Sequence, residues 1–264
     1  MEENILEIVE KSCLIHRDVI AVKYLSHREI VEKSYGDLWD DIRKTAIILQ
    51  NNGLCGTHIA LVGSSSYEWI CAYMAILFTG NTAVPLDANL SAPELHELLN
   101  RSGSIALFCG ASRKDVITEL TEDCPEMNIV FTMEKKVDIE HLEGADSNPQ
   151  LAILSFEQLL SEITIPDDFA FAEQDKDKMC TLMYTSGTTG KSKGVMLSQF
   201  NLAQNVENVY VNLEPGVTIL SVLPIHHAFC LTMEWMKGIS LGATICINDS
   251  LLHMLKNMKP SESR

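Results

Sequence analysis

Hydrophobic and polar residues follow two alternating patterns along most of this chain. Short apolar runs, typical of buried strands, precede segments in which apolar residues recur every three or four positions, as on one face of a helix. Strands are predicted at 58–62, 82–86, 105–109 and 129–133, with helices at 69–78, 91–99 and 116–120. This alternation predicts an α/β fold class, with layered, mostly parallel sheets covered by helices.

The first part of the chain departs from this alternation. Two β-like runs within 19–33 predict a hairpin. Ser34, followed three residues later by Asp37, predicts the start of an amphipathic helix that ends at Gly53. The segment 69–78 is apolar on nearly every helical face, which predicts a helix packed on both sides.

The remaining segments are assigned in the same way. Residues 134–150 are polar and acidic, which predicts an irregular excursion, and an acidic linker is expected at 166–178. Predicted helices lie at 156–162, from Ser198 or Asn201 to about 213, at 231–239 and at 251–258, with strands at 218–223 and 243–247.

The segment 179–197 has the most unusual composition in the chain. A short apolar run at 182–184 predicts a buried strand, and residues 185–195 then comprise three Gly, three Thr, two Ser, two Lys and one Val. Glycines let backbone N–H groups approach an anion, hydroxyls add donors, and lysine supplies a mobile positive charge. This composition predicts a phosphate-binding loop.

A flexible surface loop is the alternative interpretation of this segment. The absence of carboxylates between Asp177 and Glu207 favours an anion site, because the whole chain contains 36 acidic and 20 basic residues. The segment is not a Walker A loop, since only two residues separate Gly187 from Gly190. A second strand, rather than a helix, is predicted at 194–197.

Composition limits the classes of partner. The 264 residues allow one large domain or two small ones, and a formal net charge of −16 argues against nucleic acid or an anionic membrane as a partner. The eight cysteines occur singly, which favours buried thiols in a reducing compartment. The N-terminus is acidic and the longest apolar stretch, 70–78, is too short to span a bilayer, so a soluble cytoplasmic protein without a transmembrane segment is predicted.

Two adjacent histidines form a second candidate site. His226 and His227 follow Pro224 at the end of a predicted strand, where α/β proteins place binding residues. The alternative is that both are loop histidines with ordinary hydrogen bonds. Adjacent side chains are expected to point in different directions, so a shared metal ion is not predicted. No role is predicted for Glu234.

The phosphate-loop segment resembles a known signature. The sequence YTSGTTGKSKGVMLS at 184–198 is similar to the phosphate loop of the adenylate-forming (AMP-binding) superfamily, which includes acyl-CoA synthetases, firefly luciferase and peptide-synthetase adenylation domains. The segments SYGDLWDDIRKTAIILQNNG, SSSYEWICAYMAILFTGNTAVPLDANLSAPEL and LPIHHAF support the resemblance in the order that the family uses. Around LPIHHAF the chain is most similar to long-chain acyl-CoA synthetases, or fatty acid–CoA ligases.

The resemblance implies a ligase reaction in two steps. A carboxylate attacks the α-phosphorus of MgATP to give an acyl-adenylate and pyrophosphate, and coenzyme A then displaces AMP. The residues that it places around the β- and γ-phosphates are Thr185, Ser186, Gly187, Thr188, Thr189, Gly190 and Lys191, with Lys193 nearby. Thr185 is also a candidate magnesium ligand. His226, His227 and Phe229 correspond to the region of the acyl-binding pocket.

The resemblance also predicts an incomplete protein. Members of the family continue beyond the point that corresponds to Arg264, with segments that bind adenine, ribose and magnesium and a small C-terminal domain with the adenylation lysine. The chain is thus expected to be a partial N-terminal domain, with a first lobe at 63–213 and an incomplete second lobe at 1–62 plus 214–264. The missing C-terminal half is an expected partner, and the chain alone is expected to be inactive.

Two alternatives remain open at the level of sequence. The chain could be a non-catalytic nucleotide- or acyl-binding module, or part of an adenylation domain that loads a carrier protein instead of coenzyme A. The identity of the acid, the acceptor thiol and the oligomeric state are not predicted.

Overall fold

Strands and helices alternate through the computed structural model, which describes residues 4–26, 29–118, 120–133, 151–171, 173–185 and 192–248. The strands are β1 (Ile20–Ser26), β2 (Glu29–Ser34), β3 (His58–Val62), β4 (Thr82–Leu86), β5 (Ser104–Cys109), β6 (Ile129–Thr132), β7 (Ala152–Ser155), β8 (Met179–Thr185), β9 (Lys193–Ser198), β10 (Thr218–Ser221) and β11 (Thr244–Ile247). The α-helices are α1 (Ile5–Ile15), α2 (Tyr35–Asn51), α3 (Tyr67–Phe78), α4 (Ala92–Ser102), α5 (Leu120–Asp123), α6 (Phe156–Glu162), α7 (Gln199–Asn208) and α8 (Lys237–Ser240). A 3₁₀ helix spans Ala111–Val116, and a π-helix spans Cys230–Met236.

The larger sheet has seven strands in the order β7-β6-β5-β3-β4-β8-β9. All neighbouring strands from β7 to β8 are parallel, and β9 runs antiparallel to β8 at one edge. The predicted mostly parallel α/β fold is therefore confirmed. Within the described residues, β8 is the only strand that pairs with β9, and the side chains of Val195 and Met196 on β9 are 42% and 70% exposed.

Helices cover both faces of this sheet. The α3 residues from Trp69 to Phe78 are fully buried, as their apolar composition predicts, and the Tyr73 hydroxyl lies 2.8 Å from the Thr181 hydroxyl on β8. On the other face, Leu95, Leu98 and Leu99 of α4 join a cluster of buried residues from the sheet. Burial on both faces explains why the central strands are apolar without alternation.

Helix α4 begins and ends at residues suited to those positions. Ser91 and Glu94 form the predicted capping box, in which the Ser91 backbone N–H donates to the Glu94 carboxylate at 2.9 Å. Gly103 follows the last residue with φ 63°, a left-handed conformation that glycine adopts without a steric penalty. The helix runs three residues beyond its predicted end.

The smaller sheet has four strands in the order β10-β11-β1-β2, with β10, β11 and β1 parallel and β1–β2 forming the predicted hairpin.

Two buried hydroxyls connect separate segments of the chain. The Ser12 hydroxyl of α1 donates to the Ile239 carbonyl at 2.5 Å, and the Tyr35 hydroxyl donates to the Ala243 carbonyl at 2.7 Å. These bonds fix α1 and the start of α2 beside the turn that leads into β11.

Five elements differ from the sequence predictions. One of them is the helix predicted at 231–239, which is a π-helix followed by α8. Helix α1 and strand β7 were not predicted, although Ile5, Ile8, Val9 and Ser12 lie on the buried face of α1 at helical spacing. The helix predicted at 116–120 is divided into the 3₁₀ helix and α5. Helix α7 ends at Asn208 rather than near 213, because Tyr210 and Val211 are exposed and offer no buried face. The predictions for 134–150 and 251–258 lie outside the described residues.

The chain divides into two compact units, which comprise the described residues within the following ranges. One comprises Met1–Trp39, Ser65–Tyr67 and Leu202–Arg264, and the other Asp40–Ser64 and Glu68–Asn201. Strand β3 belongs to the larger unit, whereas the sequence-based boundary at 63 places it in the other lobe. The lobe boundaries at 63 and 213 remain a prediction for the whole domain. No helix in the described part of the chain is long and apolar enough to cross a bilayer.

Candidate functional site

The predicted phosphate-binding segment connects the two strands of a hairpin. Strands β8 and β9 pair antiparallel, with Thr185 opposite Lys193 at the last paired position. The chain thus leaves the sheet after Thr185 and returns to the same place at Lys193. Because β8 is parallel to its neighbour β4, Thr185 lies at the edge formed by the carboxyl ends of the parallel strands. Open α/β sheets bind ligands at this edge.

The structure places two of the predicted phosphate-binding residues together. Thr185 and Lys193 are directly opposite each other, and both are exposed. The other six predicted residues, Ser186, Gly187, Thr188, Thr189, Gly190 and Lys191, lie outside the described residues. The prediction of a second strand after the segment is confirmed, and the described ends of the segment are joined by a strand pair rather than by a helix.

Side chains of β8 alternate between the two helical layers. Leu182 and Tyr184 pack against the buried cluster that includes α4, whereas Thr181 contacts Tyr73 of α3. Gly194 of β9 lies opposite Tyr184, and a Cβ atom at Gly194 would lie 2.9 Å from the Leu182 Cδ1 atom. Glycine at this position therefore leaves room for two β8 side chains that pack on the α4 layer.

Arg101 is a basic residue next to this hairpin that was not predicted from the sequence. Its guanidinium carbon lies 5.5 Å from the centre of the Tyr184 ring, and its Nη2 atom donates to the Ser192 carbonyl at 2.8 Å. Its Nη1 atom lies 3.5 Å from the Glu97 carboxylate, one helical turn earlier. The contact with Ser192 joins residues 91 positions apart in the chain, so no local pattern in the sequence indicates it.

Tyr184 does not add negative charge to this edge of the sheet. Burial raises the pKa of the Tyr184 phenol, and the nearby Arg101 cation opposes that rise. The phenol is accordingly neutral at physiological pH, because the net shift is upward from an ordinary value of 10.0. Two cations therefore lie at the described ends of the segment, Lys193 of β9 and Arg101 of α4, and Glu97 contacts Arg101.

The described residues give limited support to a magnesium site. They contain no group of three or more His, Cys, Asp and Glu side chains that could hold a metal ion. Thr185 offers one exposed hydroxyl oxygen at the end of β8. A single hydroxyl fits a magnesium ion that keeps most of its ligands from water and substrate phosphates, which is the usual manner of Mg²⁺ binding.

The second candidate site lies in the smaller unit, between β10 and the π-helix. The His227 backbone N–H donates to the Pro224 carbonyl at 3.0 Å, which closes a turn. The ring centres of His226 and His227 lie 4.4 Å apart at an interplanar angle of 37°. The expectation that the two side chains diverge is wrong, because this turn brings the rings side by side. His227 is exposed, and the Phe229 side chain is 63% exposed.

Three polar groups fasten this histidine turn to its strand and helix. The Ser221 hydroxyl donates to a Glu234 carboxylate oxygen at 2.7 Å, and the Cys230 thiol lies 3.3 Å from the same oxygen. The thiol also lies 3.2 Å from the Leu223 carbonyl at the start of the turn. Burial, and then the Glu234 charge, raise the pKa of Cys230 to about 12. The i, i+4 spacing of Cys230 and Glu234 could have indicated this pair.

Comparisons with known proteins agree with the geometry. The model of the family described as AMP-binding enzyme matches residues 9–261. A long-chain-fatty-acid–CoA ligase of Mycobacterium bovis is 26% identical over an alignment of 269 positions. This alignment covers 93% of this chain and 43% of the ligase. The chain spans less than half the length of the curated relatives it matches.

Two solved structures share the fold. The inhibitor-bound N-terminal domain of FACL13 from Mycobacterium tuberculosis has a TM-score of 0.74 at 22% identity, and the match covers 95% of this chain and 58% of that one. The A domain of a carboxylic acid reductase from Segniliparus rugosus, in complex with AMP and a co-purified carboxylic acid, has a TM-score of 0.81 at 16% identity. That match covers 96% of this chain and 46% of the reductase domain. At these identities the likeness shows the fold alone.

Proposed function

The chain belongs to the family of AMP-binding enzymes, and from this premise we propose that it forms the phosphate-binding part of an ATP-dependent acid–thiol ligase. Membership in this family confirms the resemblance to adenylate-forming enzymes. The proposal extends it to an acyl-CoA synthetase that activates a carboxylic acid, of which a fatty acid is the proposed example, and transfers the acyl group to coenzyme A.

The hairpin of β8 and β9 carries this proposal. It presents Thr185 and Lys193 together at the carboxyl edge of a parallel sheet, with Arg101 in contact with both ends of the connecting segment. That segment contains glycines, hydroxyls and lysines and no carboxylate. Such a set of groups favours a polyphosphate, because backbone N–H groups, hydroxyls and cations all stabilise negative charge on phosphate oxygens.

The proposed first step is adenylation of the acid. A carboxylate oxygen attacks the α-phosphorus of ATP, the bond from that phosphorus to the oxygen that bridges to the β-phosphorus breaks, and pyrophosphate leaves with the bonding electrons. We assign Thr185, Lys193 and the connecting segment 186–191 to the β- and γ-phosphates. These groups stabilise the charge that develops on the leaving pyrophosphate and supply no nucleophile.

Thr185 is the residue of this set that could contact magnesium. Its hydroxyl is exposed at the end of β8 and fits a minor ligand of an ion held chiefly by substrate phosphates. When bound, the ion supplies positive charge to the phosphate oxygens.

The proposed second step transfers the acyl group. The thiol of coenzyme A releases its proton to solvent and its sulfur attacks the acyl carbon. The bond from that carbon to the phosphate oxygen breaks, and AMP leaves with the bonding electrons as the thioester forms. We assign His226, His227 and Phe229 to the acyl pocket. In support, Phe229 is a large exposed apolar residue that lies two positions after His227, immediately before the π-helix. The M. bovis relative named a long-chain-fatty-acid–CoA ligase supports a fatty acid as substrate.

Exchange of labelled pyrophosphate into ATP tests the adenylation step. We expect the polypeptide encoded by the complete reading frame that contains these residues to catalyse exchange that depends on a carboxylic acid, with the greatest rate for a fatty acid. The 264-residue chain alone should bind pyrophosphate weakly and show no such exchange. Absence of exchange with every acid in a panel would favour a non-catalytic nucleotide- or acyl-binding module.

The acceptor is tested separately, because adenylation domains that load a carrier protein share this fold. Coenzyme A and a phosphopantetheine-bearing carrier protein are supplied in parallel after adenylate formation. Formation of acyl-CoA supports the proposed ligase, whereas acylation of the carrier alone would replace coenzyme A as the acceptor and leave the adenylation step intact.

A further inference from the structure

Arg101 connects a rigid helix to both ends of the proposed phosphate-binding segment. Tyr184 lies immediately before Thr185, and Ser192 lies immediately before Lys193, so the two contacts of Arg101 enclose the segment between them. One guanidinium therefore contacts the outgoing strand β8 and the residue that immediately precedes the returning strand β9. The pairing of Thr185 with Lys193 lies directly beside both contacts.

The shape of the guanidinium suits this double contact. Its planar face interacts favourably with the face of an aromatic ring, while the N–H groups at its edge remain available to a carbonyl oxygen. A lysine ammonium has no such separation of face and edge, so it would retain the charge but not this arrangement.

Helix α4 holds Arg101 in a defined position. Leu98 and Leu99, one turn of the helix away or less, are buried in the cluster beneath the sheet, and the helix ends at Gly103 just beyond Arg101. Glu97 lies at i−4 and restrains the guanidinium further at 3.5 Å. A cation in the last helical turn is also favoured by the negative end of the helix dipole.

We propose that Arg101 is a positioning residue for phosphate binding, which holds the two ends of the β8–β9 hairpin in the register that places Thr185 opposite Lys193. This inference rests on the proposed function only in naming the ligand as a polyphosphate. Arg101 acts through Tyr184 and Ser192, so its removal should loosen the hairpin end while the buried sheet remains folded.

Hydrogen exchange and pyrophosphate titration of the 264-residue chain test this inference. The variants are R101Q, which removes the charge and the fork, and R101K, which retains the charge. Lys44→Gln is the matched control, because it also removes a partly exposed cation on a helix of the same unit, there paired with Asp41 at 3.8 Å.

We expect R101Q to accelerate exchange of the one amide, of Lys193 or Gly194, that bonds to β8 about fivefold to tenfold. It should weaken pyrophosphate binding by a similar factor, since it loses one charged hydrogen bond and one cation–π contact. R101K should accelerate exchange and weaken pyrophosphate binding nearly as much as R101Q, because it retains the charge but not the double contact. Affinity restored by R101K despite fast exchange would show that Arg101 acts through its charge and would overturn the positioning role. Lys44→Gln should change neither quantity. Thermal unfolding of R101Q should stay close to that of Lys44→Gln.

Each alternative result identifies which idea fails. If the protected amide at this end of β9 exchanges in R101Q at the same rate as in Lys44→Gln, Arg101 does not position the hairpin. Faster exchange with unchanged pyrophosphate affinity would also overturn the inference, since positioning would then have no effect on the ligand. If the unsubstituted chain binds no pyrophosphate at all, the proposed function fails, and the exchange rates alone still decide whether Arg101 orders the hairpin end. General unfolding of R101Q, with R101K equally unfolded, would assign Arg101 to stability instead.

Discussion

The two candidate sites are held by contacts of opposite character. The hairpin end in the larger unit is fastened by a partly exposed cation, Arg101, whereas the histidine turn in the smaller unit is fastened by a carboxylate and a buried thiol, Glu234 and Cys230. Each arrangement suits the ligand proposed for it. A cation beside a polyphosphate adds to binding, while a carboxylate beneath an acyl pocket maintains shape and leaves an uncharged chain undisturbed.

Because of this difference, substitutions at the two sites should change different quantities. Loss of the buried network should lower stability and leave polyphosphate binding unchanged. Loss of cations at the hairpin should lower polyphosphate affinity and leave stability unchanged. The four predictions that follow test this separation.

The largest expected effect is on the stability of the smaller unit. Glu234→Ala removes the acceptor shared by Ser221 and Cys230, so we expect it to lower the free energy of unfolding by about 2–3 kcal/mol. Urea denaturation followed by tryptophan fluorescence measures this loss, because the buried Trp235 lies in the same π-helix as Glu234. Glu234→Gln retains an acceptor oxygen and should lose about half as much. A loss of pyrophosphate affinity in Glu234→Ala, with the fold intact, would contradict the expectation that this network does not affect polyphosphate binding.

Lysine removal at the hairpin should produce the next largest effect. The double variant Lys191→Ala with Lys193→Ala loses two cations and should weaken pyrophosphate binding by about 2 kcal/mol, or roughly thirtyfold, measured by isothermal titration at low salt. Its urea midpoint should match that of the parent chain, because Lys193 is exposed. A shifted midpoint would indicate that the segment has a structural role instead.

Alkaline pH should weaken the smaller unit through Cys230. Burial raises the pKa of this thiol in the folded chain to about 12, from 9.0 ordinarily. Between these values the unfolded chain loses a proton that the folded chain keeps. The thiol's contribution is fully present below pH 9 and falls by about 1.4 kcal/mol per pH unit as the pH rises toward 12.

Cys230→Ala isolates this contribution in the smaller unit. We expect the free energy of unfolding to fall less steeply with pH in urea denaturations at pH 8.5 to 10.5. The change in slope should correspond to one fewer proton released on unfolding. Burial also raises the pKa of Cys180 in the larger unit to about 12, so the slope should not vanish. An unchanged slope in Cys230→Ala would mean that this thiol is no more protected from ionisation than an exposed one.

The smallest expected effect is at Gly194. A methyl group there would lie 2.9 Å from the Leu182 Cδ1 atom, at the flexible end of a side chain, so Gly194→Ala should cost about 1 kcal/mol of stability. Because Leu182 and Tyr184 pack on the same side, their displacement should also carry over to Arg101. We expect a twofold to threefold weaker pyrophosphate affinity, or about 0.5 kcal/mol, measured by the same titration. A more stable variant with unaltered affinity would show that the hairpin tolerates the methyl group.

Local sequence patterns were sufficient to predict most of the larger sheet. The spacing of apolar residues and the capping residues identify α3, α4 and the strands around them. Both signals depend on neighbours within a few positions in the chain. The strand after the phosphate-binding segment was predicted for the same reason. The apolar spacing of α1 is also present in the sequence, so this helix is predictable from the same local signal.

Contacts between distant segments could not be predicted in this way. Arg101 and Ser192 are brought together by the packing of α4 on the sheet, and Ser221 meets Glu234 through the path of a π-helix. The spacing of apolar residues in the sequence predicts neither of these two contacts. The residue types at the candidate site were therefore predictable, but the side chains that hold them in place were not.

Strand β9 has a further consequence for the behaviour of the chain in solution. It lies at the edge of the sheet, and exposed edge strands offer backbone donors and acceptors that can pair with another chain. Met196 makes that edge apolar, while the net charge of −16 keeps copies of the chain apart. Salt screens this repulsion at separations beyond a Debye length of about 10 Å at 0.1 M. Colloidal stability of the purified chain should consequently decrease as ionic strength rises, with strand-to-strand association beginning at β9.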